Sequence, residues 1–433
     1  MQMMEKLFEL KQRGTTVRRE LLAGFTTFLT IAYILAVNPA MLGEIGDGMT
    51  PEAVFTATAI ASAIATLIMA FTANLPIALA PGMGINAFFT YTVVFGMGFS
   101  WQLALTAVFI EGIVFMILSL FNIREAMVKS IPENLKKAIA VGIGLFVALI
   151  GFTNAGIVVS GSGTIVELGD LSQPSPLLAL LGFAFIMVLH TIKAPGAILV
   201  GILGTTIISI IIGVTPIPSG WSPFSLPAAP LFFQFEWSNI LTFKFFTVFF
   251  TFFFVDIFDT LGTLVGVTTQ AGLRDKNGNI PKLKQAFLSD AVGTVIGAGL
   301  GTSTVTSYIE STAGIAAGGR TGLSSVSTGV LFLLSLLISP VFLLIPGFAT
   351  APALIFAGFL MMSPVMDINF KDPTEGIPSF LAIVMMPFAY SIAEGIVYGI
   401  LSYVILKTAT GKFREIPIVT WLMFVIFTLK FFM

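Results

Sequence analysis

The chain has 433 residues, of which 56% are hydrophobic and only 10% are charged, and its formal net charge is −1. Soluble domains carry roughly 25% charged residues, so this composition excludes an ordinary soluble protein and indicates one embedded in lipid. The chain has no cysteine, which excludes disulfides and thiolate chemistry, and it has no basic excess that would favour nucleic-acid binding.

The first 20 residues are charged and amphipathic, and they precede the first long apolar run. They lack the short basic region and apolar core of a cleavable signal peptide. We expect this segment to lie along the cytoplasmic surface of the membrane, with Leu7, Phe8 and Leu10 facing lipid.

Apolar runs then follow one another to the end of the chain. Measured against the ~20 residues that cross the hydrocarbon core, they predict an all-α polytopic membrane protein with about fourteen transmembrane segments. A final apolar stretch, 417–432, either spans the membrane or lies on its surface. The fourteen predicted segments are 21–41, 52–73, 77–97, 101–121, 135–154, 176–191, 195–213, 242–269, 285–301, 302–318, 323–345, 350–366, 376–391 and 392–409.

The positive charges predict the orientation of these segments, because Lys and Arg collect in cytoplasmic loops. They follow the even-numbered segments, whereas the odd-numbered connections are mostly acidic, Lys244 being the main exception. Both termini are therefore predicted to be cytoplasmic. The charges that carry this prediction are Arg124, Lys129, Lys136, Lys137, Lys193, Arg274, Lys276, Lys282, Lys284, Arg320, Lys371, Lys412 and Arg414.

The third and tenth segments are interrupted. The third contains Pro76 and the run Pro81-Gly-Met-Gly-Ile-Asn86, and the tenth opens with Gly301-Thr-Ser-Thr-Val-Thr-Ser-Tyr-Ile-Glu310, which alternates polar and apolar residues like a strand. Breaks at matching positions predict a 7+7 inverted repeat with extended stretches in segments 3 and 10. We expect the two breaks to meet at one site, with half-helices resuming near Asn86 and Ser311.

Acidic residues inside predicted segments mark the candidate site, because such residues are costly in lipid and are usually functional. Asp256 and Asp259 lie three residues apart on the eighth segment, and Glu310 ends the interrupted stretch of the tenth. No Lys or Arg lies at a similar depth, so we expect at least one of these acids to carry a proton during part of a cycle.

The other buried polar residues have simpler interpretations. Asn86 is expected either to cap a half-helix or to offer its amide to a ligand. Glu111, Glu394 and Asp290 are expected to have structural or gating roles. His190, the only histidine, lies beside Lys193 at a helix end, and we expect no special role for it.

The signs of the charges indicate the class of ligand. Three carboxyl groups with two half-helix N-termini suit a neutral, planar molecule that offers N–H donors to the acids and acceptors to backbone amides. A nucleobase fits this description. An inorganic anion would be repelled by ionised acids, which argues against a sulfate or bicarbonate carrier unless those acids are protonated.

Four motifs, in this order, resemble the AzgA-like purine permeases, a branch of the xanthine/uracil permease superfamily. The resemblance runs from about Arg18 to Gly411. It implies import of adenine, guanine or hypoxanthine with protons, by alternating access, at the cell membrane and without a cofactor; a homodimer is a possible assembly. The motifs are Asn38-Pro39, Ala80-Pro-Gly-Met-Gly-Ile-Asn86, Asp256-Ile-Phe-Asp259-Thr-Leu-Gly-Thr and Gly301-Thr-Ser-Thr-Val-Thr-Ser-Tyr-Ile-Glu310.

The same resemblance implies the site residues and the domains. Asn86, Asp256 and Glu310 match substrate-binding positions, and Gly84 and Asp259 match supporting ones. We expect Gly84 and Tyr308 to contact the substrate as well. Asp256, Asp259 and Glu310 would couple protons. Asp rather than Glu at 256 favours the purine branch. The implied organisation is a core domain of 21–121 and 242–345 and a gate domain of 134–213 and 350–411, between an N-terminal segment 1–20 and a tail 412–433.

Three other interpretations stay open from the sequence. A uracil or xanthine permease or an anion carrier of the same fold is the nearest, and a passive channel would also explain broken helices with acids at mid-depth. An intramembrane aspartyl protease is disfavoured, because such enzymes need aspartates on two helices and Asp256 and Asp259 share one. The chain is therefore expected not to be an enzyme.

Overall fold

The computed structural model describes residues 2–121, 132–161, 163–273 and 280–430. Four of the charges used to predict orientation, Arg124, Lys129, Arg274 and Lys276, lie outside these residues. Within the described ranges the chain is mostly helical, which agrees with the predicted all-α class. Its α-helices are α1 Gln2–Phe8, α2 Val17–Ile31, α3 Ile34–Gly43, α4 Pro51–Ile68, α5 Met83–Ala87, α6 Trp101–Leu120, α7 Glu133–Asn154, α8 Pro174–Thr191, α9 Ala197–Ile211, α10 Phe243–Gln270, α11 Leu283–Leu300, α12 Ser311–Ala316, α13 Gly322–Ser335, α14 Ser339–Leu343, α15 Gly347–Leu360, α16 Pro373–Phe388, α17 Ile392–Ala409 and α18 Ile418–Lys430.

Eight helical stretches in these ranges are long and apolar enough to cross a membrane. Three shorter apolar helices, Met83–Gly96, Ala197–Ile211 and Ile418–Thr428, accompany them. The chain is thus a multi-pass helical membrane protein. By length and composition alone, fewer than the fourteen predicted segments are found in these ranges, since interruptions shorten several helices. The eight stretches are Val17–Gly43, Pro51–Ala73, Trp101–Leu120, Glu133–Asn154, Pro174–Thr191, Gly322–Leu343, Gly347–Asp367 and Ile392–Ala409.

The two predicted interruptions meet, as expected. Strand β1, Leu79–Pro81, pairs antiparallel with strand β4, Val305–Ser307, and Ala80 lies opposite Thr306. Hydrogen bonds at both ends extend the pairing: Gly82 N–H donates to the Thr304 carbonyl and Tyr308 N–H to the Ala78 carbonyl, each at 3.0 Å. These bonds satisfy backbone groups that an interrupted helix would otherwise leave unpaired within the membrane.

The interruptions differ in detail from the sequence-based expectation. The second extended stretch covers three residues rather than the whole of 301–310, and Glu310 lies in helical conformation directly before α12. Helix α5 begins at Met83, after Gly82, so Asn86 lies inside the helix and is not its cap. The helix continues as a π-helix, Phe88–Gly96. Helix α12 has only six residues, which weakens the expected contribution of its dipole to the site.

A second pair of strands was not predicted. Strand β2, Val158–Ser160, pairs antiparallel with β3, Val166–Leu168, in an exposed hairpin between α7 and α8. The hairpin is too short and too polar at its tip to produce a recognisable alternation. It places the start of α8 on the same side of the molecule as the end of α7.

The helices pack mainly in two groups. In the first, α2, α3, α4, α6, α10, α11, α12 and α13 contact one another, with α6 against α11 and α13 against both α2 and α4. In the second, α7 packs on α15 and α16, α16 on α17, and α8 on α9. Glycines permit the closest approach: a Cβ at Gly144 in α7 would lie 2.9 Å from the Gly358 carbonyl oxygen in α15.

The N-terminal segment docks on the protein. Phe8 and Leu10 are buried against Leu323, whereas Leu7 is about half exposed, so the expectation that all three face lipid is wrong for Phe8 and Leu10. Asn74 Nδ2–H donates to the Phe8 carbonyl at 3.2 Å. At the other end of the chain, α18 buries Met423 and Phe427 in the main hydrophobic core.

Candidate functional site

A cavity lies where the paired strands of the first helix group face α15 of the second. It contains about 530 Å³ of empty space, part of it open to solvent. Two of the predicted acids, Asp259 and Glu310, form part of its wall. The complete wall consists of Tyr33, Gly82, Met83, Gly84, Asp259, Thr263, Ser307, Tyr308, Ile309, Glu310, Ala357, Leu360 and Met361.

The two acids reach the cavity from different elements. Asp259 extends from α10, and Glu310 immediately precedes α12. Tyr33, between α2 and α3, donates its O–H to Glu310 Oε1 at 2.7 Å, and the Thr30 hydroxyl donates to the Glu310 carbonyl at 3.3 Å. The carboxyl group of Glu310 is thereby held in one orientation at the cavity wall. Such an arrangement suits the recognition of N–H donors on a ligand.

Glycines bring the backbone to the cavity. A Cβ at Gly82 would lie 2.7 Å from the Thr306 methyl group, so glycine lets the backbone approach β4 this closely, and 3.5 Å from Asp259 Oδ2, which is an ordinary contact. A Cβ at Gly84 would lie 2.4 Å from a methyl group of Ile143 in α7. Gly84, a predicted site residue, therefore marks a tight contact between the two helix groups.

Tyr308, another predicted site residue, also lines the cavity. It is 5% exposed, and its O–H donates to the Pro81 carbonyl at 2.5 Å. This hydrogen bond stabilises the pairing of β1 with β4. Its ring is the part of the side chain available to a ligand.

Asp256 and Asn86 occupy a different place. Both are fully buried, and neither is among the described residues that line the cavity. The Thr260 hydroxyl lies 3.2 Å from Asp256 Oδ1, 2.7 Å from Asp290 Oδ2 and 2.8 Å from the Thr306 hydroxyl. We call the residues Asp256, Thr260, Asp290 and Thr306 the rear cluster. Apart from Thr306, which belongs to β4, its members come from α10 and α11.

Two further polar contacts fix the stretch before β4. Ser303 donates its hydroxyl proton to Asn86 Oδ1, and Thr304 donates to Glu111 Oε2 at 2.9 Å. Glu111 and Asp290 are both fully buried. The Glu111 contact joins the extended stretch to α6, and the Asp290 contact joins α11 to α10 through Thr260.

A larger cleft continues from the cavity. It contains about 1580 Å³ of empty space and shares Ile309, Glu310 and Leu360 with the cavity wall. His190 and Lys193 at the end of α8 line its far part. The His190 ring contacts the ring of Phe356, with centroids 4.8 Å apart, so His190 contributes to the cleft although no role was expected for it.

Hydrogen bonds join the two helix groups at the opposite end of the molecule. Tyr91 donates its O–H to Glu44 Oε2 at 3.1 Å, and Asn154 Nδ2–H donates to the Tyr91 hydroxyl at 2.7 Å. Thr92 donates to the Tyr390 carbonyl at 3.2 Å. Burial raises the pKa of Glu44 above its ordinary value, although the bond from Tyr91 opposes the shift. The two helix groups are thus joined at this end, whereas the cleft lies at the end that carries His190.

Sequence reasoning missed several wall residues. Tyr33 gave no signal of its own, because single polar residues in apolar helices are common, whereas Thr263 extends the polar stripe of Asp256 and Asp259. Met361 and Leu360 belong to a segment with no acidic or glycine motif at that point. Ser307 lies inside the interrupted stretch, where the sequence does not distinguish it from the neighbouring hydroxyl residues. In the described part of the chain no group of three His, Asp or Glu side chains is arranged to hold a metal ion.

Comparison with known proteins gives concordant matches. A family described as a permease family, Xan_ur_permease, matches residues 18–398. The adenine permease AdeQ of Escherichia coli is 44% identical over 427 residues, which cover 99% of this chain and 96% of that protein. The guanine/hypoxanthine permease PbuO of Bacillus subtilis is 42% identical over 436 residues, 98% of this chain and 99% of that protein.

Solved structures show the same fold. The transmembrane domain of a cyanobacterium bicarbonate transporter, BicA, superposes with a TM-score of 0.64 at 16% identity, covering 88% of this chain and 97% of that domain. At this identity the likeness concerns architecture and says nothing about the ligand.

Proposed function

Because the chain belongs to the xanthine/uracil permease family, whose members are transporters and not enzymes, we propose that it is a secondary active transporter that imports adenine, guanine or hypoxanthine together with protons. The observation that carries this proposal is the cavity between the strand pair and α15, where Asp259 and Glu310 share one wall. The names of AdeQ and PbuO support a purine as the substrate.

The chemistry of the cavity supports a neutral base. Asp259 and Glu310 can accept hydrogen bonds from ring and exocyclic N–H groups, and Met83 and Met361 offer apolar surface for the faces of a planar ring. An inorganic anion would meet two carboxyl groups and no arginine on the described wall. The architecture shared with a bicarbonate transporter therefore serves a different ligand here.

Proton coupling is proposed to run through Glu310 and Asp259, with Asp256 behind them. An acid that contacts the substrate can bind a proton and the base together, which makes the affinity for one depend on the other. Glu310 lies where the cavity joins the open cleft, so its proton has a route out of the site on that side. No metal or organic cofactor is required by this scheme.

Alternating access is proposed as the mechanism. The open cleft with His190 at one end and the hydrogen bonds of Glu44, Tyr91 and Asn154 at the other are the features of a transporter open to one side. With the predicted orientation the open side is cytoplasmic. The two helix groups would correspond to the core domain, 21–121 with 242–345, and the gate domain, 134–213 with 350–411.

We further propose fourteen membrane segments in a 7+7 inverted repeat, with both termini cytoplasmic. The paired interruptions support the repeat, and the absence of native cysteine makes the orientation simple to test. Ile165→Cys, in the exposed β2–β3 hairpin, should react with a membrane-impermeant thiol reagent added outside intact cells. Arg414→Cys should react only after permeabilisation. Equal labelling of both from outside would contradict the orientation.

Transport itself is tested with purified protein in proteoliposomes. With an inward proton gradient, labelled adenine or hypoxanthine should accumulate above its external concentration, and a protonophore should abolish the accumulation. Uptake that only equilibrates would identify a passive channel, and accumulation that requires Na⁺ would exclude proton coupling. Unlabelled uracil, xanthine and bicarbonate, offered as competitors, separate the remaining alternatives within the fold.

A further inference from the structure

Ser307 differs from the other hydroxyl residues between Thr302 and Tyr308 in the surroundings of its side chain. It is the last residue of β4, lies opposite Leu79 in the strand pair, and is 2% exposed. Its side chain lines the cavity together with Asp259 and Glu310. Its Oγ has no hydrogen-bond partner among the described residues.

The neighbouring hydroxyls all have partners. From Thr302 to Tyr308 each hydroxyl except that of Ser307 bonds to a defined group: Thr302 to Asn38, Ser303 to Asn86, Thr304 to Glu111, Thr306 to Thr260 and Tyr308 to the Pro81 carbonyl. A buried hydroxyl without a partner is unfavourable, and each one in a native protein calls for an explanation. At Ser307 the cavity itself supplies one, because a ligand there would face the hydroxyl.

We propose that the Ser307 hydroxyl is a substrate-contacting residue that donates a hydrogen bond to an acceptor atom of the base, a ring nitrogen or an exocyclic oxygen. This inference rests on the proposed function. The carboxylates of Asp259 and Glu310 are acceptors when ionised and can bind only the N–H groups of the ligand. A purine also carries acceptors on its edge, and these remain unpaired unless the wall provides a donor. In the stretch from Thr302 to Tyr308, Ser307 is the hydroxyl donor that is not already engaged.

The proposal makes Ser307 a determinant of specificity. A site that hydrogen-bonds an acceptor on the ligand discriminates against an analogue that lacks it, since the buried hydroxyl is then left unpaired. Replacement of one ring nitrogen by C–H gives a set of deazapurines that remove the acceptors one at a time while leaving the shape of the base nearly unchanged. One of these analogues should lose the bond to Ser307.

The test is binding of purines and deazapurines to the purified full-length protein. Ser307→Ala should weaken binding of the preferred purine about fivefold, the usual scale for one neutral hydrogen bond. Ser62→Ala is the matched control, because Ser62 in α4 is also fully buried and its Oγ also has no partner among the described residues, but it lies outside the cavity wall. It should leave binding unchanged.

Binding of both ligands to both proteins decides whether Ser307 contacts the base. One deazapurine should bind the unmodified protein about fivefold more weakly than the parent purine, and Ser307→Ala should bind both equally. If Ser307→Ala binds all bases as the unmodified protein does, or loses the same factor for every analogue, the inference is wrong while purine transport stands. If no purine binds the unmodified protein, it is the proposed function that fails. Equal thermal unfolding temperatures for Ser307→Ala and Ser62→Ala show that both variants are folded.

Discussion

Asp256 and Asp259 lie three residues apart on the same helix and yet have different surroundings. Asp259 lies on the wall of the cavity together with Glu310. Asp256 is fully buried and contacts Thr260, which also contacts Asp290 and Thr306. In β4, Ser307 lines the cavity, whereas the adjacent Thr306 belongs to the rear cluster.

An acid within a membrane helix therefore need not lie on the wall of the cavity. Wall acids have an open side on which a base can bind, and their removal should alter affinity. Acids of the rear cluster hold α10, α11 and β4 together, and their removal should alter stability or turnover. Purine affinity, transport rate and unfolding temperature, measured on the same variants, separate the two roles.

Glu310→Gln should have the largest effect. It removes the acceptor that Tyr33 orients and that faces the cavity, and a hydrogen bond to a charged group contributes about 1.5–3 kcal/mol, or about 10- to 100-fold in affinity. Purine binding should weaken by that factor, and proton-driven accumulation should be abolished. Glu133→Gln is the control, since Glu133 is 75% exposed and pairs with Lys136 at the protein surface. Unchanged binding in Glu310→Gln would remove Glu310 from the site.

The pair Asp259→Asn and Asp256→Asn tests directly whether the two aspartates have different roles. Asp259→Asn should weaken purine binding at least about tenfold, because a charge-assisted contact to the ligand is lost. Asp256→Asn should leave the affinity within about threefold and reduce transport instead, because its partners lie in the rear cluster. Binding by isothermal titration and uptake in proteoliposomes measure the two properties. Equal losses of affinity in both variants would show that the distinction between wall and rear cluster does not hold in the transport cycle.

Gly84→Ala should have a moderate effect on transport. The added methyl group would lie 2.4 Å from a methyl group of Ile143, so α5 and α7 must separate where the two helix groups meet. Overpacking of this kind costs about 1–3 kcal/mol. Uptake should slow several-fold, about fivefold on this scale, while purine binding changes less. The second substitution Ile143→Ala should restore the rate, and a rate that stays low in Gly84→Ala/Ile143→Ala would exclude the steric explanation.

Much of the fold could be predicted from the sequence, since apolar run lengths report membrane helices and proline and glycine clusters report interruptions. The meeting of the third and tenth segments followed from the need to satisfy backbone groups in lipid. The choice between Asp256 and Asp259 could not be predicted, because residues i and i+3 share one stripe of a helix and its rotation is set by packing. Tyr33 could not be connected with Glu310 either, because 277 positions separate them in the chain. The docking of Phe8 and Leu10 on Leu323 likewise depends on a surface that exists only after folding.

Of these variants, Thr260→Val should have the smallest effect on purine binding. The substitution keeps the shape of the side chain and removes the hydroxyl that contacts Asp256, Asp290 and Thr306. Loss of a buried hydrogen-bonding group costs about 1–3 kcal/mol, so the unfolding temperature in detergent should fall measurably. Purine affinity should remain unchanged, because Thr260 does not line the cavity, whereas Thr263→Val, one turn further along α10 on the wall, should weaken binding and leave the unfolding temperature nearly unchanged. The opposite outcome for the two threonines would mean that the rear cluster, and not the cavity described above, contacts the base.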